Sequence, residues 1–279
     1  MSCHRSPYVA VVTGAGSGIG RELALACARR GMAVVGADVD AIALAETEAM
    51  LRALGVPCLM QRCDVAQAAE VDRLALACNE AFGGVDWLFN NAGVATLGPV
   101  WQATESDWAW VLGVNLLGVA NGVRAFVPRM LARGTKAHVV NTASAAGLAT
   151  LAGSGVYSAS KHGVVALSEC LAHDLAAIDA PIGVSVLCPS LLPSRIHEAG
   201  RNRPAALADA AVEPEASKER VRAGMAGSTV TARDAAEATL RVIDDGRFYV
   251  LPHAQTGASV EKRMAAILSD FRRTHPETQ

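Results

Sequence analysis

The sequence predicts one α/β domain built on a doubly wound sheet of about seven parallel strands, and three observations carry that prediction. Short apolar runs rich in Val and Ala alternate with longer amphipathic segments along most of the 279 residues. A glycine-rich turn, Thr13-Gly14-Ala15-Gly16-Ser17-Gly18-Ile19-Gly20, joins the first apolar run to the first amphipathic segment. With 51% hydrophobic residues and a formal charge of −2, the chain can bury a large core. That balance also argues against a nucleic-acid or membrane partner.

Each element follows from its local pattern. Residues 8–13 form a buried strand, 18–30 a helix closed by Gly31, 33–38 a second strand, and 41–54 a helix ending at Gly55. Further strands fall at 56–63, 85–89, 136–142 and 182–187. Helices near 67–82, 104–133 and 155–178 separate them, as the crossovers of a parallel sheet require. The pattern finishes with a helix over 231–244, a short strand in 247–251, and a tail, 252–279, with helical spacing over 260–273. Residues 195–230, rich in Ala and carrying Pro204 and Pro214, break the alternation and are expected to form a mobile lid. No internal repeat or low-complexity linker appears, so 1–279 is taken as one domain.

The apolar run near the start is too short for a signal peptide or a membrane span, which points to a cytoplasmic protein. Seven cysteines without a Cys-x-x-Cys pair are expected to be reduced and mostly buried. The seven histidines form no ligand-spaced cluster, so no metal is expected.

The glycine turn carries the first chemistry. At a strand-to-helix junction, glycines let the backbone approach a pyrophosphate while the helix start offers free N–H groups and a positive dipole. The spacing is G-x-x-x-G-x-G, through Gly14, Gly18 and Gly20, rather than G-x-G-x-x-G. Asp38, eighteen residues after Gly20, closes the second strand. A carboxylate there can accept hydrogen bonds from adenosine ribose hydroxyls and would repel a 2′-phosphate. Neither Val39 nor Ser17 supplies a cation for such a phosphate, so NAD is preferred over NADP.

The second chemistry lies in Ser144, Tyr157 and Lys161. Tyr157 and Lys161 are four residues apart, on one helix face, so a phenol and an ammonium can point into one cleft. Together with the Ser144 hydroxyl they can polarise a carbonyl oxygen and pass it a proton. An unperturbed Tyr is a poor base near neutrality, so Lys161 and an oxidised nicotinamide are expected to depress the Tyr157 pKa against the opposing effect of burial.

These pieces together resemble the short-chain dehydrogenase/reductase family over residues 7–250. Its motifs match TGAGSGIG at 13–20, Asp64-Val65, Asn90-Asn91-Ala92-Gly93, Val114-Asn115, Asn141 to Ser144, Tyr157 to Lys161 and Cys188-Pro189-Ser190. The resemblance implies a Rossmann-like sheet with Gly14, Ser17, Gly18, Ile19 and Gly20 at the pyrophosphate. It implies Asp64 and Val65 at the adenine, and Asn91, Ala92 and Gly93 on the adenosine side. It assigns Tyr157 to proton transfer, Ser144 to the substrate oxygen, and Lys161 to the nicotinamide ribose and the Tyr157 pKa. Asn115 completes a tetrad by holding a relay water, and Pro189 and Ser194 contact the nicotinamide amide. It further implies a homodimer or homotetramer paired through the two long helices.

One position departs from the family pattern, because Ser190 stands where the family commonly has Gly. If positive φ is needed there, serine costs about 1–2 kcal/mol or the loop takes another path. Trp101, Trp108 and Trp110 could suggest a stacking site, but Trp108 and Trp110 cannot share a helix face and are expected to pack near a helix start; Arg195, Arg201 and Arg203 are expected to form an exposed charge run, and Cys188 to be buried filler. Ala145, Leu148, Leu191 and Leu192 suggest a hydrophobic substrate. The expected function is NAD-dependent oxidation of a secondary alcohol or reduction of its ketone. The alternatives are an NADP-linked carbonyl reductase and a non-catalytic dinucleotide-sensing protein.

Overall fold

The computed structural model describes residues 8–209 and 211–275. The ends of the expected domain and of its tail, 1–7 and 276–279, lie outside the described residues, as does residue 210 of the expected lid. The strands are β1 (Val9–Thr13), β2 (Ala33–Asp38), β3 (Cys58–Arg62), β4 (Trp87–Asn90), β5 (Ala137–Thr142), β6 (Ile182–Leu187) and β7 (Tyr249–Val250). Their spatial order is β3-β2-β1-β4-β5-β6-β7, and every pair is parallel.

The helices are α1 (Gly18–Arg29), α2 (Ala41–Ala53), α3 (Ala68–Phe82), α4 (Glu105–Leu112), α5 (Gly118–Arg133), α6 (Gly155–Ala177), α7 (Glu215–Ala226), α8 (Ala232–Asp244) and α9 (Gln255–Thr274). Strand alternation divides them between the two faces of the sheet. Val9 and Val11 point to one side and pack with Val71 and Leu74 of α3 and Phe126 and Met130 of α5. Ala10 and Val12 point to the other side, meeting Leu23 of α1, Leu51 of α2 and Leu240 of α8.

The strand order reverses between β1 and β4, so the helices that follow these two strands leave in opposite directions and open a crevice at the strands' carboxyl ends. Each of the expected strands is present, although β3 and β4 begin two residues later than their apolar runs and β7 is only two residues long. The helix expected over 104–133 is divided: a π-helical turn, Gly113–Leu117, separates α4 from α5. The segment expected to be a mobile lid holds two 3₁₀ turns, Ile196–Asn202 and Ala205–Leu207, followed by α7. The helix in the tail starts earlier than its periodicity indicated, at Gln255.

His138 brings a titratable group into the sheet's core. His138 of β5 donates from Nε2 to Ser185 Oγ at 2.8 Å, since the Ser185 hydrogen is already donated to the Arg247 carbonyl at 2.7 Å. Burial, helped by the Lys136 charge, pushes the imidazole down to about 4. A folded-state pKa below the ordinary 6.5 contributes stability that is intact above pH 6.5 and lost as pH falls from 6.5 toward 4. The shift corresponds to about 3 kcal/mol. Denaturant titrations should therefore show His138→Asn losing about 2 kcal/mol less than the parent between pH 7 and pH 4.5. Equal losses would mean that the imidazole titrates as it does in water.

Candidate active site

The crevice encloses about 580 Å³ and is bordered by the carboxyl ends of the strands. Gly14, Ser17, Gly18, Ile19, Asp38, Asp64, Val65, Asn91, Ala92, Gly93, Tyr157, Lys161, Pro189 and Ser194 all line it, as the sequence led one to expect. Gly20 and Ser144 lie just behind its wall. A side chain at Gly20 would meet the Gly14 carbonyl oxygen at 2.0 Å, so only glycine lets α1 start this close to β1. Gly18 opens the helix at φ +54°, with Ser194 standing across the gap.

The amino end of α1 suits an anion. Helices α2, α4 and α8 are capped by the side chains of Asp40, Thr104 and Thr231, whereas Ser17 makes no side-chain cap bond and no acid lies in the first turn of α1. Its first N–H groups therefore face the crevice, where a pyrophosphate would satisfy them. Arg21, which sequence reasoning passed over, holds this turn from behind. Its guanidinium donates to the Gly16 carbonyl at 2.5 Å, the Ala43 carbonyl at 3.1 Å and Thr47 Oγ1 at 2.9 Å.

Asp38 is fixed in place at the end of β2. Its Oδ2 accepts from the Gly16 N–H at 2.8 Å and its Oδ1 from the Asp40 N–H at 3.0 Å. Arg62, its register partner on β3, lines the same crevice, so a cation stands beside Asp38 that came from strand pairing and not from the neighbouring sequence. Asp64 Oδ1 accepts from the Ala66 N–H at 3.0 Å, and the Val65 carbonyl accepts from Asn121 Nδ2 at 2.9 Å. These bonds shape the loop at the outer end of the crevice.

At the other end, Lys161 is buried and donates to the Thr142 carbonyl at 2.8 Å, with its nitrogen 5.8 Å from the centre of the Tyr157 ring. Burial pushes the ammonium down to about 8. Burial also raises the Tyr157 phenol above its ordinary value; the hydrogen bond with Ser144 opposes that rise without reversing it. In the protein alone, desolvation of a phenolate is the larger effect, so the expected depression falls to the charge of the oxidised nicotinamide added to that of Lys161. Ser144 Oγ accepts from the Ala146 N–H at 3.1 Å and donates to the Pro189 carbonyl at 3.3 Å.

Asn115 occupies the π-helical turn and is fully buried. Its Nδ2 donates to the Val94 carbonyl and to Ser160 Oγ, both at 2.9 Å, and its Oδ1 accepts from the Val94 N–H at 2.8 Å. Both amide donors are spent, which leaves only Oδ1 open to a further donor. A Cβ at Gly93 would lie 3.4 Å from that Oδ1 and 3.5 Å from Lys161 Nζ, so the two atoms border one small space.

A model of the short chain dehydrogenase family matches residues 8–204. The chain belongs to the short-chain dehydrogenase/reductase family. It is 31% identical over 268 residues to a CLA biosynthesis dehydrogenase/reductase of Lactiplantibacillus plantarum, covering 94% of this chain and 93% of the other. It is 34% identical over 262 residues to a C alpha-dehydrogenase of a Sphingobium species, covering 93% and 85%. A short-chain dehydrogenase/reductase of Burkholderia phymatum, crystallised in complex with NAD, superposes with a TM-score of 0.93 at 45% identity over 95% of each chain.

Several side chains of this family member differ from expectation. Ser190 carries no left-handed strain, since Asp179 alone among the described non-glycine residues has positive φ. His253, for which the sequence held no signal, steadies that loop. Its Nδ1 accepts from the Ser190 N–H at 3.2 Å and its Nε2 bonds the Leu191 carbonyl at 3.1 Å. Burial lowers its pKa, which keeps the ring in the neutral form this pair of bonds requires. Leu192 packs into the interior and is not free to line a pocket, whereas Ala145, Leu148 and Leu191 are half-buried. Cys188 is buried, and burial pushes its thiol up to about 12, so it is inert as expected.

The arginine run also divides. Arg195 and Arg201 are exposed, but the Arg203 side chain is only 9% exposed and pairs with Asp107, 3% exposed, at 2.7 Å. Its guanidinium lies over the buried Trp110 ring, 4.9 Å from the centre. Burial alone would push the Asp107 carboxyl up; donors from Thr104, Arg203 and Ala211 outweigh it and hold the carboxyl below its ordinary value. Asp107 also forms the capping box of α4 with Thr104, a T-x-x-D signature readable in the sequence. Asp107 therefore latches Arg203 and Ala211 of the lid to the start of α4. Of the tryptophans, Trp110 is buried and Trp108 packs against the same cluster, as expected, while Trp101 is 81% exposed.

Breaking a buried pair from one side costs about 3–5 kcal/mol, toward the lower end here because Asp107 keeps two backbone donors. Arg203→Met should raise the rate of limited proteolysis between residues 203 and 214 by roughly a hundredfold. Unchanged cleavage would show that the lid is held elsewhere.

Proposed function

We propose that the chain is an NAD-dependent dehydrogenase that interconverts a secondary alcohol and its ketone, with Tyr157 as the proton-transfer group. The observation that carries this reading is the buried Lys161 beside Tyr157, with Ser144 bonded to the phenol, at the inner end of a crevice that starts at an anion-ready helix terminus. A bound nicotinamide would exchange hydride with the substrate carbon.

The chain's own groups handle the proton and the oxygen. With its pKa raised, Tyr157 is a neutral phenol near pH 7 and can donate its proton to a carbonyl oxygen during reduction. In oxidation Tyr157 must first release its own proton to solvent, and the phenolate, stabilised by the Lys161 ammonium, then receives the hydroxyl proton. Lys161 at about 8 is still mostly an ammonium at pH 7, so it stabilises a developing phenolate and has two N–H donors besides the one on Thr142. Ser144 supplies the second hydrogen bond to the substrate oxygen, exchanging its contact with the Pro189 carbonyl for it. Asn115 completes the relay through Oδ1, which borders the same space as the Lys161 ammonium. Pro189 and Ser194 hold the nicotinamide end, on the loop steadied by His253. The half-buried Ala145, Leu148 and Leu191 favour a small hydrophobic substrate. The enzyme works in the cytoplasm as a homo-oligomer joined through α5 and α6.

Tyr157→Phe should abolish turnover while leaving NAD binding largely intact, because it deletes only the proton-transfer group. Lys161→Ala should impair both. A panel of alcohols and ketones, followed by nicotinamide absorbance, measures turnover, and fluorescence titration measures binding. Substantial oxidation by Tyr157→Phe would overturn the assignment and favour a dinucleotide-sensing role.

NAD preference rests on Asp38, and the NAD complex of the Burkholderia phymatum protein supports it. A second reading, an NADP-linked carbonyl reductase, draws on Arg62, which could meet a 2′-phosphate from β3. A charge-assisted hydrogen bond contributes about 1.5–3 kcal/mol, and repulsion of the phosphate adds to it. NAD should therefore be preferred roughly a hundredfold in kcat/KM. Asp38→Ser with Val39→Arg should shrink or invert that ratio. A parent enzyme that prefers NADP would transfer the role to Arg62.

A further inference from the structure

Helix α9 is long, amphipathic and barely attached to its own chain. Thr256 is buried in its first turn, and Arg263 Nη1 donates to the Leu148 carbonyl at 3.2 Å, but every residue from 261 to 274 is exposed. Among these exposed residues Met264, Ile267, Leu268 and Phe271 are 44–49% exposed and, with Val260, recur at helical spacing. They form a stripe about 100° wide, the width of a face that normally covers a core. An amphipathic helix draws most of its stability in a protein from packing its apolar face, so the stripe calls for a partner.

The charges beside the stripe say which partner. Turning about 100° per residue, Glu261 and Arg272 fall together on one flank, and Arg263 and Asp270 on the other. Each flank thus carries one acid and one base, in opposite order along the helix. When a second α9 is laid antiparallel across a two-fold axis between Ala266 and Ile267, Glu261 meets the partner's Arg272 and Arg263 meets the partner's Asp270. The symmetry gives four opposite-charge pairs around a shared apolar seam. In a parallel pair each flank would face the partner's other flank, bringing Glu261 toward the partner's Arg263 and Arg272 toward the partner's Asp270 two residues out of level, whereas the antiparallel pair sets each acid level with its base. An anionic membrane surface would favour cations on both flanks without the acids. The Asp270 contact with Arg273 within the helix is exposed, so exchanging it costs little.

We propose that the stripe on α9 is an interface between two copies of this chain, paired antiparallel through α9. This surface is separate from α5 and α6 and independent of the reaction assigned to the crevice. The apolar stretch from Val260 to Phe271 is only about 17 Å long, less than a self-sufficient interface needs, so the pairing adds one association step to whatever α5 and α6 contribute.

Sedimentation velocity of the full chain across a micromolar concentration series tests the proposal. Ile267→Glu with Leu268→Glu should halve the mass of the largest species while leaving the thermal midpoint unchanged, since neither residue packs on its own chain. Arg263→Glu, which leaves the stripe intact, should weaken that association roughly tenfold. Adding Asp270→Arg to it should restore the parent mass. Identical masses for the parent and the double-Glu variant would overturn the proposal, as would a charge-swapped protein that stays as small as Arg263→Glu. Cosedimentation of the parent with phosphatidylglycerol vesicles, at a mass that no α9 substitution changes, would also overturn it in favour of a membrane surface.

Discussion

The cleft depends on a hydrogen-bonded tie across three strand ends. Thr13 Oγ1, at the end of β1, accepts from the Asn91 N–H at 2.9 Å and the Ala92 N–H at 3.1 Å, while Asn91 Nδ2 returns a bond to the Thr13 carbonyl at 3.0 Å. Thr142 Oγ1, at the end of β5, donates to Asn91 Oδ1 at 3.3 Å, and the Thr142 carbonyl receives Lys161. Parallel strands leave backbone groups unpaired where they diverge, and a crevice cannot open at the sheet reversal unless those groups find other partners. The tie supplies them. It also links the nucleotide turn, which starts at Thr13, to the ammonium beside Tyr157, so both ends of the cleft share one frame of reference.

Burial sets the chemistry at the inner end. Lys161 and the phenol are desolvated together, which moves both toward their neutral forms and brings the ammonium to about 8. The fold tolerates this because each group keeps a hydrogen bond, to the Thr142 carbonyl for the lysine and to Ser144 for the tyrosine. Groups near their neutral forms respond strongly to any charge that enters the cleft, because the low local dielectric magnifies the effect.

Much of this was legible in the sequence wherever one residue's neighbours along the chain determine its environment. The glycine turn, Asp38 and the Tyr157–Lys161 pair belong to single strands or helices, and each reached the crevice. The misreadings involve residues whose surroundings come from distant segments. Arg203 looked like part of an exposed run because its acid, Asp107, lies on α4 and its ring, Trp110, one turn further on. Arg62 reaches Asp38 only through strand register, and His253 reaches Ser190 from beyond β7. The pKa direction of Tyr157 depended on the depth of burial, which spacing alone does not reveal.

The π-helical turn between α4 and α5 has a further consequence. One extra residue per turn advances the phase of a helix, so the two halves of Glu105–Arg133 do not share a common face. α4 turns Asp107 and Trp110 toward the lid, whereas α5 turns Phe126 and Met130 toward the sheet. The halves are therefore under separate packing constraints despite forming one continuous rod. Substitutions that reshape the lid side of α4 can accumulate without disturbing the core contacts of α5. Asn115, at the point where the phase changes, is the position from which neither half can drift.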